Sequence, residues 1–409
     1  LVYREESFAS EAQKRCKRYE RRAASSKWLV ADALANTRIE PVEGTQRFMD
    51  MDTGEILDSD FVRPPRPARC GWRIGAAVSI HADAETHTAH YSGTEHCGSV
   101  WSCPVCSAVI RAQRAEEIQT VIERHQKAGG SVIFLTLTMR HRRSDSLAML
   151  LDALLGSWKK LLQGAVWKRM RRDYGLTGYI RATEVTWSES NGWHPHLHCL
   201  LLTGRRLDDA EVQRLGDEIH GRWARYVRSA TGRMPDREHG VDVQRVDEGG
   251  GLVSEYVTAL QDEGKHGSTW TASAEMARGD VKKARHGLVP FELLDDECGL
   301  PEPRRRALWL EYVKATKGRR CITWSHGLKD LYGIREQSDR QIVDDTESVG
   351  QLVAVIPADV YDRIRREPAT LALLLDMAAR GLSKLLPAIA PGLQLIEHNE
   401  RGSDDEQEK

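Results

Sequence analysis

Three histidines on alternate residues, in Trp193-His194-Pro195-His196-Leu197-His198, are the sharpest chemical feature of the chain. In an extended strand residues i, i+2 and i+4 share a face, so the three imidazoles point the same way. Pro195, Leu197, Cys199 and Leu201 then point the other way, into a helix layer. Three adjacent imidazoles repel when protonated and add little as core, whereas neutral imidazoles at this spacing form a metal-ligand arrangement. Glu184 lies on the preceding strand. Counting back across the Ser188-Glu-Ser-Asn-Gly192 turn brings it near the histidines. Two histidines and one carboxylate leave positions open on a divalent ion that must also hold substrate oxygens. The plainer readings are a polar strand face with ordinary histidines, and a cross-strand ion pair or solvated position for Glu184.

The second chemical feature is cysteine spacing. Cys103-Pro-Val-Cys106 forms a C-x-x-C knuckle that lets two thiolates and nearby amides wrap one tetrahedral ion. Cys97 and Cys70 can complete a Cys₄ set, with His96 as a rival fourth ligand. A redox pair competes for the same motif, but no βαβ unit frames it and further cysteines lie close upstream. Structural zinc is the expectation. Cys16, Cys199, Cys298 and Cys321 read as lone structural thiols.

These residues need a frame, and the hydrophobic pattern supplies one. Apolar residues recur at helical spacing from Ser107 to Ala128, and Gly129-Gly130 ends that helix. Ser131 to Thr138 alternates as a strand, and Leu147 to Arg172 reads as a helix pair broken near Gly164. Gly178–Trp187 and Trp193–Leu202 are hairpin strands, Asp208–Ser229 an amphipathic helix, Gly240–Val246 a short strand, and Leu252 onward helical. This order predicts an α+β class, a mostly antiparallel sheet with helices on one face. The expected organisation is a charged N-terminal arm over 1–65, and a zinc-binding segment with its helix over 66–128. The sheet domain follows over 129–290, then a partly helical region over 291–396 and a disordered acidic tail over 397–409.

Composition bounds the partners. The 409 residues carry 59 Lys+Arg against 60 Asp+Glu. That balance is not uniform, because residues 331–409 hold nine basic and fifteen acidic side chains, leaving the rest mildly basic. A basic body with an acidic tail is compatible with nucleic acid, though a local cluster is more often a solvated face. The clusters include Lys14-Arg-Cys-Lys-Arg18, Lys168-Arg169 and Lys317-Gly-Arg-Arg320. No run approaches the length needed to span a bilayer and no apolar segment opens the chain, so no membrane partner and a cytoplasmic location are expected.

Five segments in order resemble the HUH endonucleases, and more narrowly the rolling-circle replication initiators (Rep proteins) of actinobacterial plasmids. They are Cys97–Cys106, the Phe134-Leu-Thr-Leu-Thr138 strand, His196-Leu-His198, the Tyr256 segment, and Lys317–Leu328. The resemblance spans roughly 70–328 and implies an HUH nuclease domain over 129–290. It implies a sequence-specific nickase and strand transferase. Tyr256 would attack a phosphodiester of origin DNA, form a 5′-phosphotyrosyl link and leave a 3′-hydroxyl primer, with Mg²⁺ or Mn²⁺ at the histidine site. A phenol with pKa near 10 is a poor nucleophile at neutral pH, so a cation at the phosphate is what such chemistry needs. The metal set is then His196, His198, Glu184 and His194; the structural zinc set is Cys70, Cys97, Cys103 and Cys106; Arg181, Lys168 and Arg319 are the expected DNA contacts. Partners are double- and single-stranded origin DNA, with host helicase and polymerase. Two positions depart from the pattern: Ala259 stands where relatives commonly carry Lys, and Leu252 where some carry a glutamate base. Alternatives are a transposase or relaxase of the same chemistry, a non-catalytic zinc-dependent DNA-binding regulator, or a metallohydrolase.

Overall fold

A computed structural model describes residues 2–36, 39–42, 48–51, 53–57, 64–83, 85–246, 287–346 and 349–396. Tyr256, the helix expected from Leu252 and the tail 397–409 lie outside the described residues. The chain divides into two compact units, residues 1–98 with 339–409, and residues 99–338.

The first unit opens with the helix Val2–Asn36, the expected charged arm, followed by three short antiparallel strands at Ile39–Pro41, Phe48–Asp50 and Ile56–Leu57. A four-stranded antiparallel sheet carries its core, in the order 394–395, 351–357, 77–83, 88–92. Val78, Ile80, Ala354 and Ile356 are fully buried on it, and the helix Pro368–Ala379 packs on the 77–83 and 88–92 strands. The helical reading of the C-terminal region is thus incomplete. Gln351–Pro357 is a strand whose partner, Ala77–Asp83, lies about 270 residues earlier, so neither strand announces its pairing locally.

The second unit holds the histidines. In chain order it contains α1 (Pro104–Lys127), β1 (Ser131–Leu137), α2 (Leu147–Leu161), α3 (Gly164–Asp173), β2 (Leu176–Ser188) and β3 (Gly192–Thr203). Then come α4 (Asp209–Thr231), β4 (Val241–Val246), α5 (Glu302–Thr316) and β5 (Ile322–Trp324). The five strands form one antiparallel sheet, β5-β2-β3-β1-β4. α4 starts on a capping box, Asp208 accepting from the Glu211 amide while Glu211 accepts from the Asp208 amide. It stops at Gly232 in the left-handed region.

Helices cover both faces of this sheet, which corrects the one-faced expectation. Ile118, Val121 and Ile122 of α1 pack on Val132, Phe134, Ile180, Ala182, Leu200 and Leu202. On the other face Trp158 of α2 meets Tyr179 edge-on at 5.2 Å, and α4 approaches so closely that a Cβ on Gly216 would lie 2.6 Å from Val243 Cγ2. The physical reason is visible in β3, which is buried on both sides from Leu197 to Thr203. A strand that runs His-Cys-Leu-Leu-Leu has apolar residues for two layers, not one.

The same strand also explains its proline. β1 ends at Leu137 opposite Leu197, so among the described residues β3 at Pro195 is paired only with β2 and has no second neighbour to receive an amide. Beyond that point β2 keeps an outer partner, Leu288 bridging Trp187, while β3 pairs with β2 among the described residues. The turn beyond it is tight: Gly192 has φ +72°, and a Cβ there would lie 2.8 Å from the Arg143 carbonyl oxygen. Gly192→Ala is therefore expected to destabilise the protein by roughly 1–3 kcal/mol in chemical denaturation, through a strained φ and a backbone clash. Gly156→Ala, on α2 with open space around it, should not.

Candidate metal centre

Register makes the site. Glu184 pairs with His196, and Ala182 with His198, so the carboxylate of β2 rises between two imidazoles of β3 on the face covered by α1. His196 Nε2 lies 2.6 Å and His198 Nε2 2.9 Å from the same oxygen, Glu184 Oε2. All three residues are buried, Glu184 to 2% exposure. Burial by itself pushes the Glu184 carboxyl up. His196, through charge and hydrogen bond, and then His198 outweigh that and hold it well below the usual carboxylate range.

The protons on the far sides of the rings test whether a cation fits. His196 Nδ1 faces the His194 carbonyl oxygen at a long 3.5 Å, and a carbonyl only accepts, so this contact places the proton on Nδ1. His198 Nδ1 meets Thr136 Oγ1 at 3.1 Å. The Thr136 hydroxyl can donate or accept, so His198 takes either tautomer; with Nδ1–H on a ring, its Nε2 turns a lone pair toward the carboxylate oxygen. That arrangement is repulsive until a proton or a metal cation lies between them. Two nitrogens and a carboxylate oxygen within 4.8 Å of one another are a facial donor set, and a divalent ion fits it.

His194 is not part of this set. It lies one pleat further, opposite Thr186, and its Nδ1 is 2.8 Å from His141 Nε2. With His194 set against His141, Glu184 supplies the third donor of the group. Three neighbours have roles that the sequence does not assign. Thr136 orients His198, Phe134 stacks on the His198 ring at 5.3 Å, and His141 holds His194. Alternation along Phe134-Leu-Thr136 was the available signal for the first two. His141 lies beyond the end of β1 and carried none.

Of the four expected zinc ligands, Cys70 and Cys97 belong to the first unit and Cys103 and Cys106 to the second. Cys103 is the N-cap of α1, and its sulfur accepts the Cys106 amide at 3.5 Å, the knuckle geometry that C-x-x-C predicts. His96 is outside the set, near Thr94 Oγ1. Two thiols in this knuckle could supply half of a tetrahedral metal set.

The expected DNA contacts diverge. Lys168 is exposed on α3. Arg319 donates to the Ala315 carbonyl oxygen and pairs with Asp152 at 2.9 Å, so its charge is already matched. Arg181 is corrected outright: it pairs with Cys199 on the sheet face opposite the histidines, is buried and donates to Thr323 Oγ1. Strand parity decides this, since 181 is odd where Glu184 is even.

With this geometry in place, comparison with known proteins is decisive for the family. A family model described as "Replication protein" matches residues 90–354. The chain belongs to this replication protein family. A "Protein rep" of Streptomyces lividans is 34% identical over 317 residues, 63% of this chain and 68% of that protein. A Streptomyces cyanogenus protein named "Neomycin resistance protein" is 37% identical over 140 residues, covering 28% of this chain and 32% of that one. A "Protein rep" of Lentilactobacillus hilgardii is 30% identical over 179 residues, 43% and 53% of the two chains. No solved structure matches. The family match agrees with the resemblance to Rep proteins, and its span takes in Glu184, His196, His198, Cys97, Cys103 and Cys106. Cys70 lies before it. Among the described residues no helix of this replication protein is long and apolar enough to cross a membrane.

Each ligand set has its own test. Thr136→Val leaves all three ligands of the histidine site in place but removes the group that fixes the His198 ring; Mn²⁺ affinity measured by calorimetry should fall roughly 10–100-fold. Elemental analysis of the purified protein should find one zinc per chain, and Cys103→Ser/Cys106→Ser should lose that zinc together with several kcal/mol of stability, whereas thiols without a metal role would show neither change.

Proposed function

We propose that this replication protein is a rolling-circle plasmid replication initiator, a site-specific nickase and strand transferase acting on origin DNA. The convergence of His196 and His198 on one buried Glu184 oxygen carries the reading. Glu184, His196 and His198 would hold Mg²⁺ or Mn²⁺, and their two nitrogens suit Mn²⁺ better than an ion that prefers oxygen throughout. A bound divalent cation there supplies positive charge against the scissile phosphate.

The chain's own groups divide the remaining work. Tyr256 is assigned the nucleophile on the family resemblance. Its phenolic oxygen gives up its proton to solvent and bonds to phosphorus, the bond from phosphorus to the 3′ oxygen breaks, and that oxygen takes a proton from solvent and leaves as the 3′-hydroxyl primer. The phosphotyrosyl ester conserves the energy of the broken phosphodiester for rejoining. Thr136 and Phe134 hold the His198 ring so that its nitrogen needs no reorganisation during the reaction. Zinc on the four cysteines is assigned a structural role. Duplex and single-stranded origin DNA are the substrates, and a host helicase and polymerase would act on the primer so produced. The regulator alternative has no use for a buried carboxylate facing two imidazoles, and a transposase or relaxase would share the nicking chemistry but not require a plasmid origin.

The test is incubation with labelled supercoiled origin plasmid and Mn²⁺. The parent should form a protease-sensitive covalent adduct. Tyr256→Phe should form none and still bind origin DNA, and His196→Ala should nick at least about 10²-fold more slowly with binding retained. Adduct formation by Tyr256→Phe, or mapping of the nucleotide to Tyr179 or Tyr226, would overturn the assignment.

A further inference from the structure

An open groove of about 610 Å³ runs along α4, walled on its other side by the segment that follows it. His220, Ala224, Arg225, Arg228, Met234 and Arg237 line it, and none of its lining residues is a carboxylate. Residues 220, 224 and 228 recur every fourth position and so form one stripe of the helix, with Arg225 beside it. The Arg228 guanidinium has no hydrogen-bond or ion-pair partner among the described residues. Arg225 lies 5.0 Å from the Tyr226 ring centre and donates to its hydroxyl, and Arg237 has only a 3.7 Å contact with exposed Asp217. His220 Nε2 is buried without a partner.

The groove is tied to the histidine end of the sheet. Trp223, on the inner side of α4, donates to the Thr138 carbonyl oxygen at 2.7 Å. Thr138 in turn donates its amide to the Gly240 carbonyl oxygen and its hydroxyl to that of His239, so the segment walling the groove is clasped to the end of β1. Thr136, two residues back on that strand, contacts His198.

We propose that this groove binds the sugar–phosphate backbone of duplex DNA. The inference deepens the proposed function by naming the surface on which duplex DNA is held. Three arginines without a lining carboxylate give a net positive trough that suits closely spaced phosphates. Single strands are held through aromatic stacking platforms, and the groove lining contains no Phe, Tyr or Trp, which favours duplex.

The experiment uses the full chain with a labelled random-sequence duplex, the matching single strand, and polyglutamate as an acidic-polypeptide probe, at several salt concentrations. Arg225→Gln/Arg228→Gln should bind the duplex about tenfold more weakly, and the slope of log affinity against log salt should shrink by about 1.8, or about 0.9 for each phosphate no longer neutralised. Both positions are exposed, so the melting temperature should match the parent. Arg237→Gln alone should shrink the slope by about half as much. Parental affinity and slope in the double variant overturn the proposal, as does a larger loss on the single strand or on polyglutamate than on the duplex. A parent that binds duplex through these arginines yet forms no covalent adduct with origin plasmid supports the groove and sinks the nickase reading; a parent that forms the adduct while the arginines prove neutral does the reverse.

Discussion

Two imidazole nitrogens face one buried carboxylate oxygen, so a proton or a cation must lie between each nitrogen and that oxygen, and much of the second unit serves that constraint. An ionised carboxylate with 2% exposure would cost several kcal/mol if left unpaired. It is tolerated because β2 and β3 are joined by a short hairpin whose register places Glu184 beside His196 and Ala182 beside His198. A slip of one residue would turn Glu184 toward α2 and the histidines away from it. The two-sided apolar coat on β2 and β3 prevents the slip, since Ile180 and Leu200 have α1 on one face while Tyr179 meets α2 on the other.

The sheet also divides labour along its length. At the end where β1 begins, His125 of α1 contacts the carbonyl oxygens of Ser131 and Thr203 and the hydroxyl of Tyr332, tying helix, sheet and a C-terminal segment of the unit together. Apolar packing fills the middle. At the other end β1 stops, β3 at Pro195 is paired on one side only among the described residues, and polar side chains take over the face. Rigid packing at one end and an unpaired edge at the other is how a sheet can hold ligands in fixed positions while leaving room for a substrate.

α1 links this arrangement to the cysteines. Its first residues carry the C-x-x-C knuckle, with Cys103 capping the helix, and its later turns cover the sheet below the histidines. A metal on those thiols would anchor the start of the helix much as His125 anchors its end. α4 plays the matching part on the opposite face, holding the end of β1 through Trp223 while its outer surface carries arginines. Chemistry and basic charge are thereby assigned to different elements that meet at Thr136 and Thr138.

By itself the sequence determined the local matters. Period-two alternation made β1, β2 and β3 legible, turn residues located the hairpin, and an amphipathic stripe located α4. The same alternation put His196, His198 and Glu184 on one face, and C-x-x-C spacing named a thiolate site, because these relations span only a few residues or one turn. Tertiary structure decided everything that depends on distance between elements. It set His194 against His141, outside the group that Glu184, His196 and His198 form. It buried Arg181, an expected DNA contact. It put helices on both faces and paired a strand near residue 80 with one near 354. It also gathered Arg225, Arg228 and Arg237 into one groove, although they never form a run in the chain. Strand parity and helix phase can be read along a sequence; which faces then meet is set by the packing of long-range neighbours, and no local pattern records that.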